Sequence, residues 1–144
     1  MFISYIIYTL IIAATVGIHF EMLNWLSIKV PAMTIRSRTR VVVALMGAIF
    51  AHVVEIWLFA FAYYFIVNIE KMGSLEGSFD GSLYDCFYFS ITTYTTVGYG
   101  DIAPLGDVRF LAGLEALTGL VLITWTASFL FIEMQKFWVK GNNK

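Results

Sequence analysis

The sequence predicts an all-α membrane protein with three transmembrane helices and with a re-entrant helix and loop between the second and the third. Of its 144 residues, 60% are hydrophobic and only 13% are charged, whereas about a quarter of the residues in a soluble domain are charged. Three apolar stretches, near residues 3–20, 41–67 and 110–132, reach the roughly 20 residues needed to cross a bilayer. Their connections are too short for a soluble enzyme domain, and a net charge of −1 offers no basic face for nucleic acid. We therefore expect neither an enzyme nor a nucleic-acid-binding protein.

The first predicted helix spans residues 1–24 and carries no charged side chain over residues 3–20. It lacks the basic start and the small-residue cleavage site of a signal peptide, so we expect it to be retained. A voltage-sensing helix repeats arginine within the membrane, and none of the three apolar stretches contains an arginine. The sequence therefore argues against a voltage sensor.

The distribution of lysine and arginine predicts the orientation in the membrane. The connection at 25–40 is basic and contains no acid, and lysines also occur in the tail at 136–144. Short loops rich in lysine and arginine remain on the cytoplasmic side during insertion. We therefore expect the connection and the tail to be cytoplasmic and the amino terminus to lie outside. Anionic lipid headgroups are the expected contacts of Arg36, Arg38 and Arg40.

The second predicted helix, 41–67, leads into an outer loop at 68–82 that is rich in glycine, serine and acids. Ser82 and Asp85 have the spacing of a capping box, which predicts the start of a helix. The apolar run from 83 to 95 that follows is too short to cross the bilayer. We therefore predict that this short helix enters the membrane and that the chain then turns back.

The chain turns back in the segment TTVGYGD at 95–101. Non-helical backbone is tolerated at membrane depth only where it is buried in protein or lines an aqueous path. Two glycines alternate with Val97 and Tyr99, and their conformational freedom allows successive carbonyl oxygens to turn to one side. Four chains around one axis would then form rings of oxygen, which suit a weakly hydrated cation, and the Thr96 hydroxyl would add one more ring.

This segment resembles the selectivity filter of the tetrameric potassium channels. The resemblance covers residues 41–135, a pore module of outer helix, pore helix, filter and inner helix, so that the helix at 1–24 is additional. It implies a homotetramer of identical subunits around a central pore, conducting K⁺ passively and without an organic cofactor. For a small channel without targeting signals we expect the plasma membrane. The filter would comprise Thr96, Val97, Gly98, Tyr99, Gly100 and Asp101, of which the first four coordinate K⁺.

The resemblance also implies which residues support the filter. Tyr88 and Phe89 match an aromatic cuff, and Thr92 and Thr95 lie at the end of the pore helix. Asp101 matches an acid that tucks behind the filter and is held by the pore helix. Thr92 departs from one bacterial pattern in which a carboxylic acid partners that aspartate, which leaves the gating behaviour of the filter open.

The third predicted helix, 107–134, would be the inner helix that lines the pore. Gly119 is a candidate hinge, but glycine also permits close helix packing in membranes, and both interpretations stay open. Gly113 is a competing position for the hinge. Steps of three or four residues from Leu120, which follows Gly119, predict a cavity and gate lined by Leu120, Ile123, Ala127 and Phe131.

Three ionisable residues lie within the predicted membrane helices. His52 and Glu55 share one helix face at a spacing of three, and Glu115 lies in the third helix. The favoured interpretation is a local His52–Glu55 pair, with Glu115 accepting hydrogen bonds behind the filter. The alternative is a proton-sensitive cluster in which all three meet and change the bend of the inner helix. HVVE lacks the second histidine of a metalloprotease helix, so we expect no zinc site from this motif.

Other functions remain as alternatives. A potassium transporter membrane subunit generally fuses four non-identical pore repeats, whereas this chain carries a single copy of the whole motif. An accessory subunit would need a partner to conduct. A weakly selective cation channel usually lacks the tyrosine or the second glycine of the filter, and both are present here. The sequence therefore favours a potassium-selective channel.

Overall fold

The computed structural model describes residues 2–68 and 73–141, with side chains described for 4–36, 38–68 and 73–136. Within these residues the fold consists of four helices and one small antiparallel sheet. In chain order the elements are α1 (Phe2–Ala32), α2 (Ser37–Val67), β1 (Ser74–Gly77), α3 (Leu83–Tyr94), β2 (Ile102–Leu105) and α4 (Val108–Gly141).

Three of the helices are long and apolar enough to cross a membrane, over Ser4–Ala32, Arg38–Val67 and Val108–Lys136. The fourth, α3, has 12 residues and is about 18 Å long, which is too short for a hydrocarbon core of about 30 Å. The predicted all-α membrane fold with three spans and a re-entrant helix is confirmed.

The predicted boundaries around the basic connection need correction. α1 continues to Ala32, past the predicted end at 24, and Lys29 lies in its last turn. α2 begins at Ser37, so residues 33–36, and not 25–40, form the connection. Lysine and arginine interrupt an apolar pattern but are good helix formers, which is why the helices extend through them.

The other boundaries differ less. The pore helix was predicted at 83–95 and ends at Tyr94, with Thr95 as its carboxyl cap. The inner helix begins at Val108 and continues to Gly141, so most of the predicted tail at 136–144 is helical and its last three residues lie outside the described part.

Two short strands connect the segments before and after the re-entrant loop. β1 lies in the predicted outer loop, and it pairs antiparallel with β2 in a register from Ser74 with Leu105 to Gly77 with Ile102. A Cβ on Gly73, where φ is +119°, would lie 2.3 Å from the Leu105 carbonyl oxygen. The sequence did not predict this sheet, because four-residue strands containing glycine or proline show no clear alternation.

The start of α3 is fixed by side chains on both sides of the cap. The Asp85 amide donates to the Ser82 hydroxyl at 3.1 Å, as the capping box predicts. The Asp85 carboxylate instead accepts from the Asp80 amide at 2.8 Å, and the Asp80 carboxylate accepts from the Ser82 amide at 2.7 Å. Hydrogen bonds with Ser82 lower the pKa of Asp80 the most, and a hydrogen bond with Asp85 lowers it further. Together these bonds close the loop before the helix.

The main core surrounds α3 and includes residues from all four helices and both strands. α2 and α4 contribute large buried side chains on either side, and α1 adds Tyr8. The fully buried members include Phe59, Tyr63, Cys86, Tyr94 and Leu111. A second cluster joins the carboxyl-terminal half of α1 to the start of α2. The first helix is therefore packed against the rest of the chain along much of its length.

Candidate functional site

The backbone after α3 alternates between two conformations. Thr96, Gly98 and Gly100 have positive φ angles of 60°, 51° and 79°, whereas Val97 and Tyr99 between them do not. A residue-by-residue alternation of left-handed and ordinary backbone turns the peptide groups so that successive carbonyls face the same side. Thr96 is the one non-glycine residue with positive φ among the described residues. Its strained conformation lies at the first predicted coordinating position.

Amide groups of the same segment point back at the helix. The Gly98 amide donates to the Thr92 carbonyl at 3.0 Å, and the Thr96 amide donates to the Thr93 carbonyl at 2.9 Å. These bonds pair two amides of the segment and also satisfy carbonyls at the end of α3.

The segment is exposed in the isolated chain. Every residue from 95 to 101 is solvent-accessible, and Val97 and Tyr99 are 53% and 72% exposed. Backbone polar groups at membrane depth cannot face lipid. This surface must therefore adjoin water, ions or other protein.

The end of the segment is held by Tyr88 and by the sheet. The Tyr88 hydroxyl donates to the Asp101 carboxylate at 2.9 Å. The Asp101 carbonyl accepts from the Ser78 amide at 2.9 Å, which continues the β1–β2 pairing by one bond. A Cβ on Gly77 would lie 2.1 Å from the same carbonyl oxygen, so this close approach requires glycine.

The remaining predicted support residues act mainly through the helix itself. The Thr92 hydroxyl donates to the Phe89 carbonyl and the Thr95 hydroxyl to the Ile91 carbonyl, at 3.0 and 2.6 Å. Thr92 therefore contributes a backbone acceptor to Gly98 and is not the hydrogen-bond partner of Asp101. The Phe89 ring is buried and packs edge-on against Tyr63, with ring centroids 5.0 Å apart.

The predicted hinge lies where α4 passes the end of α3. A Cβ on Gly119 would lie 2.1 Å from the Tyr94 carbonyl oxygen and 2.9 Å from its ring, whereas one on Gly113 would meet nothing within 4 Å. This contact favours the packing interpretation of Gly119 over the hinge. The predicted gate residues Leu120, Ile123, Ala127 and Phe131 are all exposed in the isolated chain.

Glu115 is fully buried and accepts two hydrogen bonds, one from the Tyr63 hydroxyl and one from the Ser90 hydroxyl, each at 2.5 Å. We call these three residues the Glu115 cluster. Ser90 also lies 2.9 Å from the Ile56 carbonyl. Among the described residues no hydrogen bond links Glu115 to His52 or Glu55, so the structure does not form the three-membered proton-sensitive cluster.

His52 and Glu55 instead belong to a second group, which we call the histidine cluster and which comprises His19, His52, Glu55, Tyr94 and Thr126. Glu55 is fully buried and contacts both histidines, with Nδ1 distances of 2.9 Å for His19 and 3.2 Å for His52. The Tyr94 hydroxyl donates to Glu55 at 2.5 Å. The sequence analysis missed His19, and the available signal was a histidine within a predicted membrane helix.

These features define a class of protein. A short helix lies between two long apolar helices, and the exposed loop that follows it has a backbone that alternates between positive and ordinary φ. This is the architecture of a membrane pore module. Residues 41–136 match the family model described as Ion channel. The chain belongs to this family and is a member of the pore-loop potassium channel superfamily. It is a multi-pass membrane protein, and its family points to a channel rather than an enzyme.

Two curated relatives agree with the family. The chain is 36% identical over 80 residues to the inward rectifier potassium channel Kirbac3.1 of Paramagnetospirillum magnetotacticum. The aligned segment covers 55% of this chain and 25% of that protein. The chain is also 33% identical over 69 residues to a voltage-gated potassium channel of Aeropyrum pernix, in a segment that covers 43% of this chain and 22% of that protein. The chain thus matches about a quarter or less of the length of these relatives. No solved structure matches it.

Proposed function

We propose that four copies of this chain form a channel that conducts K⁺ passively and selectively through the segment from Thr96 to Tyr99. The observation that carries the proposal is the alternating backbone, with positive φ at Thr96, Gly98 and Gly100. Carbonyl oxygens arranged in rings replace the hydration shell of K⁺, which is how a filter of this sequence selects its ion.

The amide bonds to the pore helix support this assignment. Because Gly98 and Thr96 donate to carbonyls of Thr92 and Thr93, the segment is held from behind and its oxygens remain available to an ion. A ligand set fixed in advance loses less conformational freedom when the ion enters. One chain supplies one side of such a ring, so a closed ring requires further subunits. The exposure of residues 95–101 is what a subunit at a central axis would show when isolated.

The same proposal assigns an orientation in the plasma membrane, with the amino terminus outside and the basic connection in the cytoplasm. Arg36 and Arg38 are exposed at the start of α2 and suit contact with anionic headgroups. Arg40 differs, because its guanidinium donates to the Met33 carbonyl at 2.5 Å across the connection. The inner helix would line the cavity with Leu120, Ile123, Ala127 and Phe131.

The test is ion flux through purified protein in liposomes, with K⁺ compared with Na⁺. We expect K⁺ flux to exceed Na⁺ flux by a large factor and to be lost in Gly98→Ala, because alanine disfavours the left-handed backbone by about 1–2 kcal/mol in each chain. Gly17→Ala is the matched control, since a Cβ there also meets nothing within 4 Å but the helical backbone suits alanine.

Two results would contradict the proposal. Equal K⁺ and Na⁺ flux that Gly98→Ala abolishes would indicate a weakly selective cation channel. A folded tetramer that passes neither ion would indicate an accessory or transporter subunit that requires a partner. Chemical cross-linking before reconstitution tests the subunit number separately, and we expect four.

A further inference from the structure

The histidine cluster has the residues of a metal site and lies outside the segment proposed as the filter. His19 comes from α1, and His52 and Glu55 come from α2, with one potential ligand atom of each within 4.8 Å of the others. The second histidine that the HVVE motif lacks is thus supplied by another helix. His19 and Glu55 are fully buried, and His52 is 16% exposed, which leaves an opening toward the surface.

With both histidines neutral and both Nδ1 atoms protonated, one hydrogen bond of the cluster is missing. If both Nδ1 atoms donate to Glu55 or Tyr94, both Nε2 atoms carry lone pairs and need donors. The Thr126 hydroxyl lies 3.0 Å from Nε2 of His52 and 3.3 Å from Nε2 of His19. A hydroxyl has one hydrogen, so it can donate to one of the two, and the other lone pair lacks a donor.

A metal ion bound on the Nδ1 side removes this conflict. Both imidazoles would then carry hydrogen on Nε2, and the Thr126 oxygen can accept from both through its two lone pairs. Histidines that bind a metal usually donate their other ring N–H to a fixed acceptor, which sets the tautomer and orients the ring. Thr126 on α4 is placed to be that acceptor for both histidines.

The local charge also favours a cation. Tyr94 is the last residue of α3, so the negative end of the helix dipole lies beside the cluster. Glu55 adds a carboxylate, and the ion pairs described for it are with the two histidines. The Tyr94 hydroxyl lies 2.9 Å from Nδ1 of His52 and could take the fourth coordination position.

We propose that His19, His52 and Glu55 bind a divalent transition-metal ion, with Zn²⁺ as the best-suited representative, through both Nδ1 atoms and a carboxylate oxygen. Imidazole and carboxylate are ordinary zinc ligands at about 2.0–2.2 Å, and tetrahedral geometry then separates ligand atoms by about 3.4 Å. The Nδ1 atom of His19 lies 2.9 Å from Oε1 of Glu55, and the Nδ1 atom of His52 lies 3.2 Å from Oε2. One ligand atom of each residue lies within 4.8 Å of the others. Side-chain rotations that bring these atoms to about 3.4 Å from one another would close the site, and the ion would join α1 to the pore module.

Metal content tests this proposal without any measurement of conduction. The purified protein is stripped with a chelator, loaded with Zn²⁺, freed of excess ion and assayed by mass spectrometry, with one ion expected per chain. Glu55→Gln and His19→Gln should each weaken Zn²⁺ binding by at least about tenfold. Glu21→Gln is the matched control, because Glu21 is an exposed carboxylate on α1 two residues from His19, and it should bind as the wild type does.

Cobalt and Thr126 provide a second readout if a ligand variant folds poorly. Co²⁺ should give the visible spectrum of a four-coordinate nitrogen and oxygen site, and Zn²⁺ should displace it. Thr126→Val keeps the shape of the side chain but removes the common acceptor, so metal affinity should fall about tenfold or more. A folded wild-type tetramer that binds no Zn²⁺ or Co²⁺, or binding that Glu55→Gln and Glu21→Gln leave equal, would overturn the proposal. Wild-type protein that binds the metal but passes no K⁺ would count against the proposed function alone.

Discussion

The substitution Gly119→Ala distinguishes a packing contact from a hinge, because the two interpretations of Gly119 predict opposite effects of alanine on the stability of the chain. In a helix with open space, glycine to alanine stabilises by about 0.5–1 kcal/mol. At Gly119 the new Cβ would lie 2.1 Å from the Tyr94 carbonyl oxygen, whereas a carbon and an oxygen in contact lie about 3.3 Å apart. The helices α3 and α4 would have to separate by about 1.2 Å, because the Tyr94 atoms nearest to the new Cβ belong to the backbone and the ring and cannot easily move aside.

Overpacking of this kind costs about 1–3 kcal/mol. After the helix gain is subtracted, we expect Gly119→Ala to destabilise each chain by about 1–2 kcal/mol. That loss corresponds to a fall of several degrees in melting temperature, at about 2–4 °C per kcal/mol for larger domains. Gly113→Ala, on the same helix and with nothing within 4 Å of its Cβ, should be neutral or slightly stabilising.

The assay is thermal unfolding in detergent, followed by circular dichroism, with K⁺ flux measured on the same preparations. A melting temperature for Gly119→Ala that equals or exceeds that of Gly113→Ala would refute the close contact. If that variant were stable but its channels failed to open, Gly119 would be a hinge.

Two further substitutions have matched controls in neighbouring residues. Gly77→Ala and Gly81→Ala both place alanine at positive φ, but only the first would also clash with a carbonyl, that of the last filter residue. We expect Gly77→Ala to reduce K⁺ flux or selectivity and Gly81→Ala to lower stability alone, and equal flux in the two variants would contradict a role for the sheet. Tyr63→Phe removes one hydrogen bond from the Glu115 cluster and should destabilise the chain by about 1–3 kcal/mol. Tyr64→Phe, at a partly exposed ring, should change the same unfolding measurement little, and equal losses would argue against the buried bond.

The overall architecture could be predicted from the sequence, because it depends on composition over long segments. Three apolar stretches and one that is too short to cross determine the order of the elements. The helix ends were less predictable, since Lys29 and Arg38 break the apolar pattern without breaking a helix. β1 and β2 were missed because their pairing joins residues on either side of the filter and leaves no local signal in four residues.

The partners of the buried acids could not be predicted, because they come from distant parts of the chain. His52 and Glu55 form a local pair that spacing alone indicated. His19 lies 36 residues from Glu55, and Thr126 lies 107 residues from His19. Spacing along one helix cannot show such contacts, so the sequence could suggest hydroxyl donors for Glu115 but could not identify them as Tyr63 and Ser90.

The two acids make most sense as supports of the pore helix. Ser90 and Tyr94 are four residues apart and therefore share one face of α3, where Ser90 binds Glu115 of α4 and Tyr94 binds Glu55 of α2. A carboxylate within the membrane is stable only with several partners, and each acid has at least two. Both bonds are made by the helix that leads into the proposed filter, so weakening either one should loosen α3 against a flanking helix. The support of α3 therefore extends to acids on both flanking helices, and through Glu55 to His19 on the first helix.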